Sequence, residues 1–161
     1  MKRSDGKESL FMAKRSLTAR AILAISLVLP ACSTHRAVRH DFDNSRTFAA
    51  GFDQTWTAVT ETAADLVLPI EQISRDSGLV TLQWIKIPRD WVDCFGQPPG
   101  PGTSQAAYLF NVFVRRESDT RTKVTVNSFI ARPDVPVDYS QCFSTGAFEG
   151  LFFATIEEKL R

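Results

Sequence analysis

The sequence predicts an α+β fold: a two-layer domain with a four-stranded antiparallel sheet covered by two helices, in the order α-β-β-β-β-α. Three observations predict it. Two segments, at about 52–66 and 145–160, repeat apolar residues at helical spacing. The segments between them alternate apolar and polar residues at strand spacing. Short turns join the first strand to the second and the third to the fourth, which demands antiparallel hairpins. Each helix has one apolar stripe, so both are expected on one face of the sheet, leaving the other face wetter.

In the first helix Phe52, Trp56, Val59, Ala63 and Leu66 form the stripe, with Thr57, Thr60, Glu61 and Asp65 largely opposite. Asp53 is a natural N-cap, Trp56 reads as a core residue, and Pro69 ends the helix because the residue before a proline is pushed out of the helical region. Ile70 to Arg75 is a short strand and Asp76-Ser77-Gly78 a hairpin turn. From Leu79 to Ile87, Val80, Leu82 and Trp84 face one way, Thr81 and Gln83 the other. Pro88 to Ser104 is a long loop rich in glycine and proline, either functional or poorly ordered. Ala106 to Arg116 sets Tyr108, Phe110, Val112 and Val114 against Leu109, Asn111, Phe113 and Arg115. After a turn at Glu117 to Thr120, Thr122 to Ala131 returns with Val124, Val126, Ser128 and Ile130 on one face. Arg132 to Gln141 is a second proline-punctuated loop. In the last helix Phe148, Phe152, Ile156 and Leu160 recur every fourth residue, although Gly146 and Gly150 each cost about 1 kcal/mol of helix propensity relative to alanine.

The chain has 161 residues, 43% of them hydrophobic and 23% charged, which suits one globular domain and excludes a disordered, collagenous or coiled-coil chain. A net charge of +1 carries no nucleic-acid footprint. The positive charge is concentrated at the start: residues 1–31 hold six Lys/Arg and two Asp/Glu, and the rest is acidic by three.

That first segment has the organisation of an export signal. Lys14, Arg15 and Arg20 precede an apolar run of 11 residues, Ala21 to Ala31. The run is too short to span a bilayer, which needs about 20 apolar residues, and suits the apolar region of a signal peptide. Met12 opens a compact basic stretch, MAKRSLTAR, and is an alternative start to Met1. The run ends in Leu29-Pro30-Ala31-Cys32-Ser33, which resembles the lipobox of bacterial lipoproteins. The resemblance implies removal of residues 1–31, acylation of Cys32 and, with Ser33 rather than aspartate after it, sorting to the outer membrane on its periplasmic face. Two or more acyl chains hold firmly where one binds marginally.

With Cys32 assigned to lipid, Cys94 and Cys142 remain, and an exported chain with an even remainder is expected to pair them. Residues 32–47 are expected to form the lipidated cysteine and a flexible polar tether, reaching at most about 50 Å over its 15 residues, ahead of a domain at 48–161. His35 and His40 fall in that tether and are read as plain tether residues. Arg36, Arg39 and Arg46 are offset by Asp41 and Asp43. No metal or cofactor is expected. The chain contains none of the common nucleophile, zinc or phosphate-loop motifs, and Asp90, Asp93, Asp134 and Asp138 read as solvated loop charges rather than catalytic carboxylates or calcium ligands. No catalytic residue is assigned.

The run Gly51-Phe52-Asp53-Gln54-Thr55-Trp56-Thr57-Ala58-Val59, then Leu68-Pro69-Ile70 and Arg75-Asp76-Ser77-Gly78-Leu79-Val80, is similar to the BamC-type lipoprotein domain. That resemblance covers about residues 48–160 and implies a single helix-grip domain behind an acylated cysteine, taking part in outer-membrane assembly. The expectation is a non-enzymatic interaction module whose partners are the membrane, through its anchor, and outer-membrane assembly proteins. Trp91 and Phe95 in the long loop are the expected partner anchors. The alternative is a lipid or lipopolysaccharide handler, in which Phe110, Phe113, Phe129, Phe148 and Phe152 would line a cleft rather than fill the core.

Overall fold

A computed structural model of the protein describes residues 35–84, 87–104, 106–132 and 141–161. The expected signal segment, Cys32, and the loop carrying Asp134 and Asp138 lie outside the described residues. The described chain belongs to one unit, Thr34–Arg161.

The strands are β1 (Ser45–Phe48), β2 (Ile70–Ser74), β3 (Leu79–Trp84), β4 (Val92–Cys94), β5 (Ala107–Ser118), β6 (Arg121–Ala131) and β7 (Cys142–Ser144). The helices are α1 (Phe52–Asp65) and α2 (Ala147–Lys159), with a short 3-10 turn at Arg89–Trp91. The main sheet has the order β1-β6-β5-β3-β2, antiparallel throughout, and β4 and β7 form a separate two-stranded ribbon.

The α+β class and both helices match expectation, but the sheet has five strands, not four. β1 arises within the stretch expected as tether: Ser45 to Phe48 pair with Thr125 to Thr122 of β6. Its register puts Arg46 and Phe48 opposite Val124 and Thr122 on the helix-covered face. Phe48 is buried and its ring centroid lies 6.4 Å from that of Phe153. Four residues with one apolar side chain have too little periodicity to announce a strand, because an edge strand is recruited by backbone hydrogen bonds.

The alternation along β5 and β6 determines the core. Tyr108, Phe110, Val112 and Val114, with Val124, Val126 and Ile130, are buried against the helices, as are Val80 and Leu82 of β3. From α1, Trp56, Val59 and Ala63 descend onto this face, and from α2 Phe148, Phe152, Phe153 and Ile156. Phe148 stacks on Phe110 with ring centroids 3.9 Å apart and packs 5.6 Å from Phe152. At the helix ends Lys159 Nζ sits 2.6 Å from Asp65 Oδ2, tying α2 to α1.

Helix α1 begins two residues earlier than an Asp53 cap would place it. Gly51 is the N-cap, and Asp53 lies in the first turn, where its carboxylate is 2.8 Å from Arg75 Nη2. The hairpin at Asp76-Ser77-Gly78 forms as expected. Gly78 has φ +67°, and a Cβ there would be driven into the backbone carbonyl of Val114, whose own N–H donates to Gly78 O at 2.7 Å.

Candidate functional site

The long loop is more ordered than its glycine and proline content suggests. Pro88 bridges to Thr103, Arg89 N–H donates to Gly102 O at 2.9 Å, and the chain between them turns through Arg89–Trp91 into β4. Cys94 and Cys142 are direct partners in the β4–β7 ribbon, Cα atoms 4.1 Å apart, and are joined by a disulfide. The bridge ties the loop to the strand that leads into α2.

Trp91 and Phe95 do not stand out as free anchors. Trp91 is half-buried against the core, its ring centroid 5.7 Å from that of Phe148. Phe95 is half-buried too, with its N–H donating to Gln141 O at 3.1 Å and its carbonyl accepting from Arg132 Nη1 at 3.4 Å. Loop position alone suggested exposure, and the ribbon turned the loop inward.

Asp93, expected as a solvated charge, is only 3% exposed. Its carboxylate takes His35 Nε2 at 2.5 Å on one oxygen and His40 Nε2 at 3.0 Å on the other, with Val38 N–H at 3.3 Å. A carboxylate only accepts, so each imidazole presents an N–H from Nε2. Burial would raise the Asp93 carboxyl, but the bonds from His35, His40 and Val38 outweigh it and hold it below the ordinary aspartate value. The carboxylate lies between the rings, so the three side chains do not converge on a point as metal ligands would. Among the described residues no three His, Cys, Asp or Glu side chains are grouped to hold a metal.

The stretch 35–47 is therefore docked rather than a free tether. Besides the Asp93 latch and β1, Gly96 N–H donates to His35 O at 2.8 Å and Val126 N–H to Asn44 O at 2.8 Å. Phe42 packs over Gly146, where a Cβ would come within 2.6 Å of its ring. Polar composition hid this because the docking uses two histidines, an aspartate and backbone groups.

Where this arm crosses the edge of β6 it closes a recess of about 340 Å³, lined by Arg39, His40, Asn44, Asn127, Ser128 and Ser144 among others. Beneath it lies Glu149 of α2, 1% exposed. Ser144 Oγ donates to Glu149 Oε2 at 2.8 Å and accepts Gly146 N–H at 3.1 Å, and Ser128 Oγ donates to Glu149 Oε1. Tyr108 sits in the same polar cluster. Its phenol is pushed up by burial first and by the Glu149 charge second. Both serine protons are committed to Glu149 and His40 Nε2 is committed to Asp93. Among the described residues no hydrogen bond joins His40 to either serine, the contact by which a base would activate a nucleophile.

The opposite face of the sheet is open. Leu109, Asn111, Phe113 and Arg115 of β5 and Lys123, Thr125, Asn127 and Phe129 of β6 alternate with the buried residues and point away from the helices. Phe129 is 68% exposed and Phe113 39%. The alternation had set Phe113 against Phe110, and both Phe113 and Phe129 were expected in the cleft of the lipid-handling alternative; the structure puts both on the open face instead.

No protein-family model matches the chain, and no curated protein matches it. Among solved structures, the crystal structure of the Zhui aromatase/cyclase from Streptomyces sp. R1128 is similar at 13% identity and a TM-score of 0.33, over 78% of this chain and 86% of that one. A likeness at this level carries no argument about fold or activity.

Proposed function

We propose that the chain is an exported lipoprotein, acylated on Cys32, that serves as a non-enzymatic interaction module on the periplasmic face of the outer membrane. Its place is in assembly or maintenance of the cell envelope. The lipobox-like run Leu29 to Cys32 and the BamC-like segments support the address, and the Cys94–Cys142 bridge fits an oxidising compartment.

One observation carries the choice between a contact module and a lipid handler. A lipid chamber needs an enclosed, apolar cavity of several hundred Å³. Here the phenylalanines that would line it fill it: Phe110, Phe148 and Phe152 are fully buried and stacked together between helix and sheet. Phe113 and Phe129, the other two, are exposed on the open sheet face, where they form part of a contact surface rather than a chamber.

The test is a crosslinking pull-down of the lipidated protein from intact envelopes, with bound proteins and extracted lipids both identified by mass spectrometry. Enrichment of envelope components that is lost in a Phe113→Ser/Phe129→Ser variant is the expected result. A single lipid co-purifying in stoichiometric amount would overturn the reading in favour of a carrier. Separately, Cys32→Ser is expected to abolish acylation, and membrane retention equal to the parent would remove the anchor.

A further inference from the structure

The open face carries charges that the fold itself does not use. Arg115 of β5 and Lys123 of β6 are direct cross-strand partners on that face. Like charges placed opposite one another destabilise a strand pair. Among the described residues neither has an ion-pair partner: the neighbouring acid, Glu117, is 3.9 Å from Arg121 instead. Together with Phe113, Thr125 and Asn127 the two cations line a shallow recess of about 310 Å³. Farther along the same face stand Phe129 and its cross-strand partner Leu109. Lys123 to Phe129 is six residues of strand, about 20 Å.

A second observation bears on how far from the proposed anchor the domain can stand. His35 is fixed to the domain through Asp93 and Gly96, and only residues 32–34 connect it to the proposed anchor, a reach of at most about 11 Å. The bond from Arg132 Nη1 to Phe95 O puts the Phe129 end of β6 next to the loop that holds His35. The docked arm thus keeps the domain close to the leaflet rather than some 50 Å away.

We infer that the open sheet face docks on an anionic bilayer surface, with Arg115 and Lys123 on headgroup phosphates and Phe113 and Phe129 at the apolar boundary. A small soluble phosphate would use the cation pair and leave Phe129 without a role, whereas a lipid surface engages both. This deepens the proposed function by naming what the contact surface meets, and rests on it for the position of the anchor.

The test uses residues 32–161 carrying Cys32→Ser, so that neither an acyl group nor the basic, apolar leader contributes, with vesicles of phosphatidylcholine alone or mixed with phosphatidylglycerol. The parent is expected to prefer the anionic vesicles. Each basic side chain near an anionic surface is worth roughly fivefold in affinity, so Arg115→Gln/Lys123→Gln is expected to lose about twenty-fivefold and with it the preference. The same variant is expected to melt higher than the parent, because the cross-strand repulsion is gone, whereas a purely structural role for the pair would lower the melting temperature. Phe113→Ser/Phe129→Ser is expected to weaken binding to both vesicle types. Equal binding by parent and charge variant would overturn the inference. So would displacement by inorganic phosphate but not by chloride at equal ionic strength, which would assign a free-anion site. So would a protein crosslinked through Lys123 by a chain that binds no vesicle. Failure of Cys32 acylation is read independently in cells.

Discussion

His35 Nε2 lies 2.5 Å from Asp93 Oδ1 across 58 positions of sequence, and His40 takes the other oxygen of the same buried carboxylate. This buried aspartate latches the first part of the polar stretch, residues 35–40, onto the domain.

Asp93→Ala is therefore expected to release residues 35–44, read as faster amide exchange at Val38 and as new protease cleavage in the arm. Leaving two imidazoles without their acceptor costs about 1–3 kcal/mol. The pH dependence has a definite sign. Asp93 is held below the ordinary aspartate value, so the folded protein binds that proton less readily than the unfolded chain. The contribution is full above about pH 4, the unfolded value, and is lost as pH falls through the lower folded one. An arm whose exchange is unchanged by the substitution would remove the latch.

The disulfide closes a 48-residue separation. Loop-closure entropy assigns it about 4 kcal/mol. Cys94→Ser/Cys142→Ser is expected to lower the unfolding free energy by about that amount in a denaturant titration. Thiol titration of the oxidised, unfolded chain is expected to find neither cysteine free. Two titratable thiols from this pair would refute the bridge in the cellular protein.

Much of this was legible in the sequence, for reasons that also mark its limits. The buried residues of β5, β6 and α2 are large and periodic, so Tyr108, Phe110, Phe148 and Phe152 announced their elements. The cysteine pair followed from compartment and count. The arm, β1 and the β4–β7 ribbon gave little signal because backbone bonds and single polar side chains hold them. Asp93 and Glu149 looked like any acidic residues, since burial of a carboxylate depends on partners 58 and 21 positions away. Trp91 misled because an aromatic in a loop reads as exposed until its neighbour Phe148 is known.

Val67 follows α1 with φ +53° and is 84% exposed. A β-branched residue in the left-handed region pays about 1–2 kcal/mol, and this side chain is too exposed to recover it by packing. Glycine relieves that strain and loses about 0.5–1 kcal/mol through the freedom of the unfolded chain. Val67→Gly is expected to gain up to about 1 kcal/mol, with the midpoint of denaturation moving up and its slope unchanged. A lower midpoint would mean that Val67 makes a contact its exposure does not suggest.

Glu149 and Tyr108 make the last test, because one charge is read through the other group. Glu149→Ala strands the hydroxyls of Ser128 and Ser144 in a buried site and is expected to cost about 2–4 kcal/mol. Glu149→Gln keeps an acceptor for one serine, and the other hydroxyl can turn to accept from the amide, so the cost is expected to be smaller. The Tyr108 phenol is raised by burial first and by Glu149 second. The folded state therefore holds its proton more tightly than the unfolded chain. Its contribution is complete below the unfolded value, about 10, and declines as pH rises above it. In an ultraviolet titration Tyr108 is expected to ionise above the ordinary phenol value, with Tyr139→Phe, which removes the only other tyrosine in the sequence, used to assign it. Glu149→Gln is expected to bring the Tyr108 transition down without returning it to an exposed value, because burial remains. A transition unmoved by that substitution would mean that burial alone raises the Tyr108 phenol.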